Sequence, residues 1–263
     1  TVADMRRTGR ALGGNADASL YDMGDGVACF VIHSPNSSLT AEVIASLDEA
    51  IAAVEKDFLG LVISSAGKHF CVGANLPMIL KLAEAKDWAG IDALSAAFQK
   101  ANMRIKYCPK PIVAAPFGMT LGGGAELVMH TAGAQFQGET MMGLVETGVG
   151  LIPGAGGNKE LFLGLTAGVN DDPAVDLEPF VRKAFGLIFA GKVSASGPDA
   201  QKLGYLRPSD GLVMSPERQL FRAKQMVLSL AATRPTPNPA VRWRVAGESL
   251  CAALKAELYN KRR

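Results

Sequence analysis

Two glutamates stand out as groups that could move protons. Glu126 follows a glycine triplet and enters an apolar run, Gly122-Gly-Gly-Ala-Glu-Leu-Val-Met129. Glu146 sits in Met141-Met-Gly-Leu-Val-Glu-Thr-Gly-Val-Gly150, again among apolar side chains. A glutamate after a glycine triplet can simply be a helix-start residue favoured by the dipole. It can equally be an acid–base group whose pKa is raised by an apolar wall. Taken singly, either residue reads as structural. The pair, each beside glycine-rich backbone, points to proton transfer where main-chain N–H groups lie exposed.

Three glycine-rich segments need sorting. Gly148-Val-Gly-Leu-Ile-Pro-Gly154 has the look of a dinucleotide fingerprint, but its third glycine comes one residue late and Pro153 interrupts the helix start. Gly154-Ala-Gly-Gly-Asn-Lys159 lacks the Gly-Lys-Ser/Thr ending of a phosphate-cradling loop. Residues 67–76 and 118–126 each follow a buried strand. That placement exposes N–H groups at the C-terminal edge of a sheet, where open α/β folds bind ligands.

Other chemistries find little support. The histidines are His33, His69 and His130, and there is no Gly-x-Ser-x-Gly elbow. His130 ends an apolar helix, where a cation would favour the dipole. Cys29, Cys71, Cys108 and Cys251 form no CxxC pair, and no two His or Cys residues stand at ligand spacing, so no metal is expected. Buried free thiols in a reducing compartment are the simplest reading.

The elements that must carry these groups follow from pattern. Residues 27–32 and 59–64 are short apolar strands, the second buried on both faces. Between them Thr40 N-caps a helix with Val43, Ile44, Leu47, Ile51 and Val54 at helical spacing. Helices are expected over 76–84 and 88–107, the latter stopped by Pro109 and Pro111. A third strand, 112–116, leads into the glycine triplet and a helix through Met129. Residues 134–146 are mixed, a helix begins near Asn158, and helices dominate after Leu177. Residues 166–176 read as a solvated acidic insertion. Arg234-Pro-Thr-Pro-Asn-Pro239 reads as a linker before a final helix. Strand–helix alternation followed by a helical third predicts an α/β fold with a helical appendage. The expected division is a lead-in or linker over 1–19, a core over 20–190, and a C-terminal helical region over 191–263.

At this point three blocks resemble the crotonase (enoyl-CoA hydratase/isomerase) superfamily. They are His69-Phe-Cys-Val-Gly-Ala-Asn-Leu76, Lys110-Pro-Ile-Val-Ala-Ala115 with Leu121-Gly-Gly-Gly-Ala-Glu-Leu127, and Gly150-Leu-Ile-Pro-Gly-Ala-Gly-Gly157. The resemblance implies a superhelix of stacked β-β-α turns with a C-terminal helical region of the trimerisation type, assembled as a homo-trimer or hexamer. It implies an oxyanion hole from the N–H groups of Ala74 and Gly123. Glu126 would activate water and Glu146 would protonate C2 of an enoyl thioester. Gly73, Asn75, Leu76, Gly122 and Gly154 would line the acyl-CoA substrate, with no cofactor beyond the coenzyme A of the substrate itself. Two preorganised donors suit this chemistry because charge builds on the thioester oxygen, and losing one such donor typically costs about 10²–10³ in rate.

Retention of both glutamates favours an enoyl-CoA hydratase of fatty-acid β-oxidation. The alternatives are a Δ3-Δ2 enoyl-CoA isomerase, which needs one proton-shuttling carboxylate, and an inactive scaffold that docks a dehydrogenase. Ala18-Ser-Leu-Tyr-Asp-Met-Gly-Asp-Gly26, residues 180–192 and Leu203-Gly-Tyr-Leu-Arg-Pro-Ser-Asp210 are similar to a subgroup in which a hydratase domain follows a 3-hydroxyacyl-CoA dehydrogenase in one polypeptide. Asn75 in place of the usual aspartate, Pro77 in place of a lysine, and Pro35-Asn-Ser-Ser38 depart from the family pattern around the CoA phosphates and bear on chain-length preference.

The totals agree. A chain of 263 residues with 48% hydrophobic and 20% charged residues can bury a sizeable core. A net charge of +2 with scattered Lys and Arg argues against nucleic acid as a partner. No apolar run reaches membrane-spanning length and no signal-peptide pattern opens the chain, so a cytoplasmic location is expected. The start at Thr1 without a methionine suggests a processed chain or a piece of a longer one.

Overall fold

The computed structural model describes residues 1–9, 11–233 and 242–261. Helix α1 (Val2–Thr8) precedes strands β1 (Ala11–Gly14), β2 (Ala18–Asp22) and β3 (Val27–Ile32). There follow β4 (Ser38–Leu39), α2 (Ala41–Asp57), β5 (Gly60–Ser65), β6 (Gly73–Ala74), α3 (Leu76–Glu84) and α4 (Trp88–Tyr107). Next come β7 (Ile112–Ala114), β8 (Met119–Leu121), α5 (Gly123–His130), β9 (Gly133–Gln137), β10 (Met141–Gly143) and α6 (Gly157–Leu165). The last part holds α7 (Glu178–Phe189), α8 (Gly197–Leu203), β11 (Gly211–Val213), α9 (Gln219–Thr233) and α10 (Gly247–Lys261).

The principal sheet runs β1-β2-β3-β5-β7-β9-β11. Its first two pairings are antiparallel and the rest parallel. Each parallel strand from β3 to β9 hands the chain to a short second strand, β4, β6, β8 or β10, before the next helix. These short strands pair in parallel as β4–β6 and β8–β10, and a bridge between Cys71 and Thr120 joins the two pairs. The result is a stack of β-β-α turns, the mixed α/β architecture expected.

The period of the strands decides which side chains meet. In β3, Ala28, Phe30 and Ile32 face α2, while Val27, Cys29 and Val31 face Leu220, Ala223 and Val227 of α9. Both faces are covered, which is why the parallel strands read as continuous apolar runs. Thr40 caps α2, its Oγ1 accepting from the Val43 N–H at 3.1 Å. Among the described residues no helix is long and apolar enough to cross a membrane.

Several expectations are corrected. Residues 1–19 are not a loose lead-in: they hold α1 and β1 and begin β2, and Ala18 is fully buried against β3. β11 interrupts the helical last third and adds to the sheet edge beside β9. Residues 166–176 are more than a solvated insertion. Thr166 and Asn170 are buried, and Arg244 reaches across to the carbonyls of Asn170 at 2.7 Å, Asp172 at 2.5 Å and Val175 at 3.1 Å. This clamp ties the chain entering α10 to the body of the fold. The linker expected over 234–239 lies outside the described residues.

Candidate active site

The stack brings the glycine-rich segments together at the C-terminal ends of β5 and β7. After β5 the chain turns through Cys71 into β6. After β7 it turns through β8 into α5. Close approach of these two segments requires glycine. A Cβ on Gly124 would stand 2.5 Å from the Cys71 carbonyl oxygen. Gly122, the N-cap of α5, has φ +52°, a conformation other residues rarely adopt. Gly123 opens α5, so its N–H has no acceptor within the helix. That nitrogen lies 3.2 Å from where a Cβ of Gly73 would be, so Gly73-Ala74 and Gly122-Gly123 are in contact. Ala74 is half-buried, paired with Leu39 of β4.

Glu126 lies one turn into α5 and is buried. Its Oε1 accepts two main-chain N–H groups, from Ala155 at 2.9 Å and Gly157 at 2.8 Å. Burial pushes its pKa up, and the two N–H bonds oppose that rise by favouring the carboxylate. Glu146 begins a 3-10 turn, Glu146–Val149. Its Oε1 faces the backbone of Gly122, 3.2 Å from where a Cβ would be. Its Oε2 is buried and has no hydrogen-bond partner among the described residues. Burial raises its pKa to about 7; main-chain N–H groups of Glu146 and Val145 oppose the rise, and repulsion from Glu126 adds to it. The two carboxyls thus share one electrostatic environment but are solvated differently. Burial raises both, but Glu126 Oε1 is clamped by two short N–H bonds, whereas Glu146 Oε2 has no partner among the described residues.

Behind Glu126 lies a buried polar group that the sequence signalled only in part. His130 Nδ1 lies 2.7 Å from the Glu126 carbonyl, which can only accept, so Nδ1 carries the proton. The ring is not the helix-end cation expected: burial lowers its pKa to about 4. Glu160 lies 3.5 Å from Nε2 and pulls the other way. That carboxylate is already paired with Lys106 at 2.6 Å and Lys159 at 2.7 Å, so desolvation of the ring prevails.

The remaining expected positions scatter around this centre. Asn75 spends its side-chain oxygen capping α3, accepting from Met78 N–H at 3.3 Å. Leu76 is exposed, as is Gly154, whose carbonyl accepts from Gln99. Pro77 falls in the first turn of α3, where a missing N–H is harmless. Pro35 opens a 3-10 turn in which Asn36 and Ser37 both have positive φ. The donors Ala155 and Gly157 escaped the sequence reading, because a main-chain N–H leaves no side-chain signature. The polar Asn102, buried on the apolar stripe of α4 with Phe98, Ala101 and Ile105, was the available clue to the loop they belong to. Among the described residues no cluster of His, Cys, Asp and Glu could hold a metal ion.

Comparison with known proteins agrees with this geometry. Residues 22–165 match the family model described as enoyl-CoA hydratase/isomerase. A Bacillus subtilis (strain 168) protein named as a probable 3-hydroxyacyl-CoA dehydrogenase is 40% identical over 250 residues, covering 95% of this chain and 31% of that protein. A Rickettsia felis protein named as a putative fatty acid oxidation complex trifunctional enzyme is 36% identical over 134 residues, 51% of this chain and 19% of that one. The chain therefore spans about a third or less of the length of these relatives. Among solved structures, a putative enoyl-CoA hydratase from Streptomyces coelicolor A3(2) superposes with a TM-score of 0.69 at 23% identity, covering 95% of this chain and 83% of that one. At that identity the likeness speaks for the fold.

Proposed function

The chain belongs to the enoyl-CoA hydratase/isomerase family, and from that premise we propose that it reversibly adds water across the C2–C3 double bond of a 2-trans-enoyl-CoA, giving a 3-hydroxyacyl-CoA in fatty-acid β-oxidation. The observation that carries this reading is the unlike solvation of the two glutamates. Hydration needs one group to take a proton from water and another to give one to C2. Glu126, whose burial-driven rise in pKa is opposed by two N–H groups on Oε1, is suited to act as base. Glu146, with a pKa near 7 and a buried unpartnered Oε2, is suited to hold a proton until C2 needs it.

In this mechanism the thioester carbonyl lies against the N–H groups of Ala74 and Gly123. Charge that develops on its oxygen is met by donors already in place, so no reorganisation is needed in the transition state. Gly73 and Gly122 keep that approach open, and Asn75, Leu76 and Gly154 border it. A water set between the carboxyls attacks C3 as Glu126 takes its proton. Glu146 protonates C2 and the enolate collapses to the thioester. Dehydration reverses both transfers.

The proposal extends to assembly and context. By resemblance to the family, the C-terminal region assembles the chain as a homo-trimer or hexamer. The names and lengths of the relatives support a covalently linked 3-hydroxyacyl-CoA dehydrogenase in the parent chain, which would oxidise the hydroxyl this site makes. Three buried cysteines, Cys29, Cys71 and Cys108, stand outside any disulfide, which accords with the cytoplasm. The test is incubation with a 2-enoyl-CoA. Loss of enoyl absorbance with 3-hydroxyacyl-CoA appearing supports hydration, and its absence overturns it. Conversion of 3-enoyl-CoA to 2-enoyl-CoA without hydroxyacyl product would assign an isomerase instead.

A further inference from the structure

The loop that feeds N–H groups to Glu126 is held from behind by an unusual set of side chains. Four consecutive carbonyls, from residues 153 to 156, are each occupied. Pro153 O accepts from Asn158 Nδ2 at 3.0 Å, and Gly154 O from Gln99 Nε2 at 2.6 Å. Ala155 O accepts from Asn102 Nδ2 at 3.0 Å, and Gly156 O from the Glu160 N–H at 3.0 Å. Two of these donors, Gln99 and Asn102, stand one turn apart on α4, an element that contributes no atom to the proposed chemistry. Neighbouring Phe98, Ala101 and Ile105 bury that stretch of the helix, so the donors come from a fixed platform.

The peptide unit makes this arrangement consequential. Its C=O and N–H are coplanar and point in opposite directions. The Gly154 carbonyl and the Ala155 N–H belong to one such unit. A donor on the carbonyl therefore sets the direction of the N–H and polarises it, strengthening the bond it makes. The hydrogen-bond chain runs Gln99 Nε2, Gly154 C=O, Ala155 N–H, Glu126 Oε1. A second chain runs Glu160 N–H, Gly156 C=O, Gly157 N–H, Glu126 Oε1. Both end on the same oxygen, which leaves the other, Oε2, to meet the reacting water.

We propose that Gln99 and Asn102 are positioning residues for Glu126. They hold the 154–157 backbone so that the Ala155 and Gly157 N–H groups clamp Oε1, fixing both the rotamer of the carboxylate and its preference for the ionised form. The assignment of a reaction to Glu126 rests on the hydratase reading, whereas the clamp itself does not.

Gln99 is exposed, so its substitution spares the core. Gln99→Ala removes the donor, Gln99→Glu replaces it with an acceptor, and Gln99→Lys supplies a different donor. The native charged groups around Glu126 are Glu146 facing it, and Glu160, Lys106 and Lys159 grouped beyond His130; Gln99→Ala leaves them unaltered and adds no charge, so it carries the test, whereas Gln99→Glu and Gln99→Lys each bring a charge of their own. The experiment pairs two readouts on the intact protein. The first is an infrared or carbon-13 titration of the Glu126 carboxylate, identified by its loss in Glu126→Gln. The second is kcat and KM for 2-enoyl-CoA across pH.

In Gln99→Ala the Glu126 titration and the acidic limb of kcat move to higher pH. In the same variant kcat falls roughly 3- to 10-fold, as expected for one lost hydrogen bond, with KM unchanged. Gln99→Glu moves both further, and Gln99→Lys restores them. A Glu126 titration that stays put in Gln99→Ala overturns the proposal. Shifted titrations in a protein that does not hydrate enoyl-CoA support the clamp and overturn the hydratase reading, so the two can fail separately.

Discussion

Replacing Glu146 with glutamine should abolish most activity yet make the protein less sensitive to alkaline pH. Burial and the nearby Glu126 carboxyl raise the Glu146 pKa from 4.5 to about 7. Between those values the folded chain keeps a proton that the unfolded chain has released. Stability contributed by the neutral form is therefore lost as pH rises from 4.5, and the loss levels off above about 7. Each factor of ten in proton affinity is worth about 1.4 kcal/mol, so the full window corresponds to roughly 3 kcal/mol. Glu146 is only half-buried, and the solvent reaching it screens the cost. Between pH 5 and pH 8 we expect about 2 kcal/mol.

Glutamine has the same shape and no charge, so Glu146→Gln lacks this term at every pH. The assay is denaturant unfolding of both proteins at pH 5 and pH 8, read as the difference of differences, which cancels any fixed effect of the new amide. The variant should gain about 2 kcal/mol on the wild type between the two conditions. An unchanged difference would refute the claim that Glu146 is held neutral by its surroundings.

Further outcomes follow from the same geometry. Hydration kcat should fall as pH rises through about 7, because Glu146 must enter the reaction protonated; a profile flat from pH 6 to 9 would count against that role. Gly157→Ala places a Cβ 2.8 Å from Cγ of Glu126 and 3.0 Å from its Oε1. Displacing the carboxylate should lower kcat by about 10², seen in steady-state kinetics with little change in far-ultraviolet circular dichroism. Arg244→Ala frees the 170–175 carbonyls from their clamp. It should cost about 1–3 kcal/mol and raise amide hydrogen exchange in α10, with exchange in β3 and β5 unaltered.

Much of this design was legible because it rests on side chains whose type is itself the signal. Thr40 before an apolar helical stripe marked the start of α2. Apolar runs marked β3 and β5, and the company of glycines singled out Glu126 and Glu146. What escaped depends on partners distant in sequence. β1 and β2 are rich in Ala, Gly and Ser and show no strong alternation; β2 becomes a strand by pairing with β3, and β1 by pairing with β2. β11 has three residues and exists because β9 offers an edge. The N–H groups on Glu126 belong to Ala155 and Gly157, and the loop that holds them is shaped from α4, more than fifty positions earlier. Residues 166–176 looked solvated because the arginine that organises them lies near position 244.

The central claim is that Glu126 and Glu146 form one acid–base pair beside the Ala74 and Gly123 N–H groups. Its most direct test is hydration of a 2-enoyl-CoA by the wild type and the two single Glu→Gln variants, with product identified by mass spectrometry. An acid–base pair at this site gives 3-hydroxyacyl-CoA from the wild type and a fall of about 10²–10⁴ in kcat for each variant, with thioester binding retained. Wild-type turnover in either variant, or no hydroxyacyl product from the wild type, would contradict it.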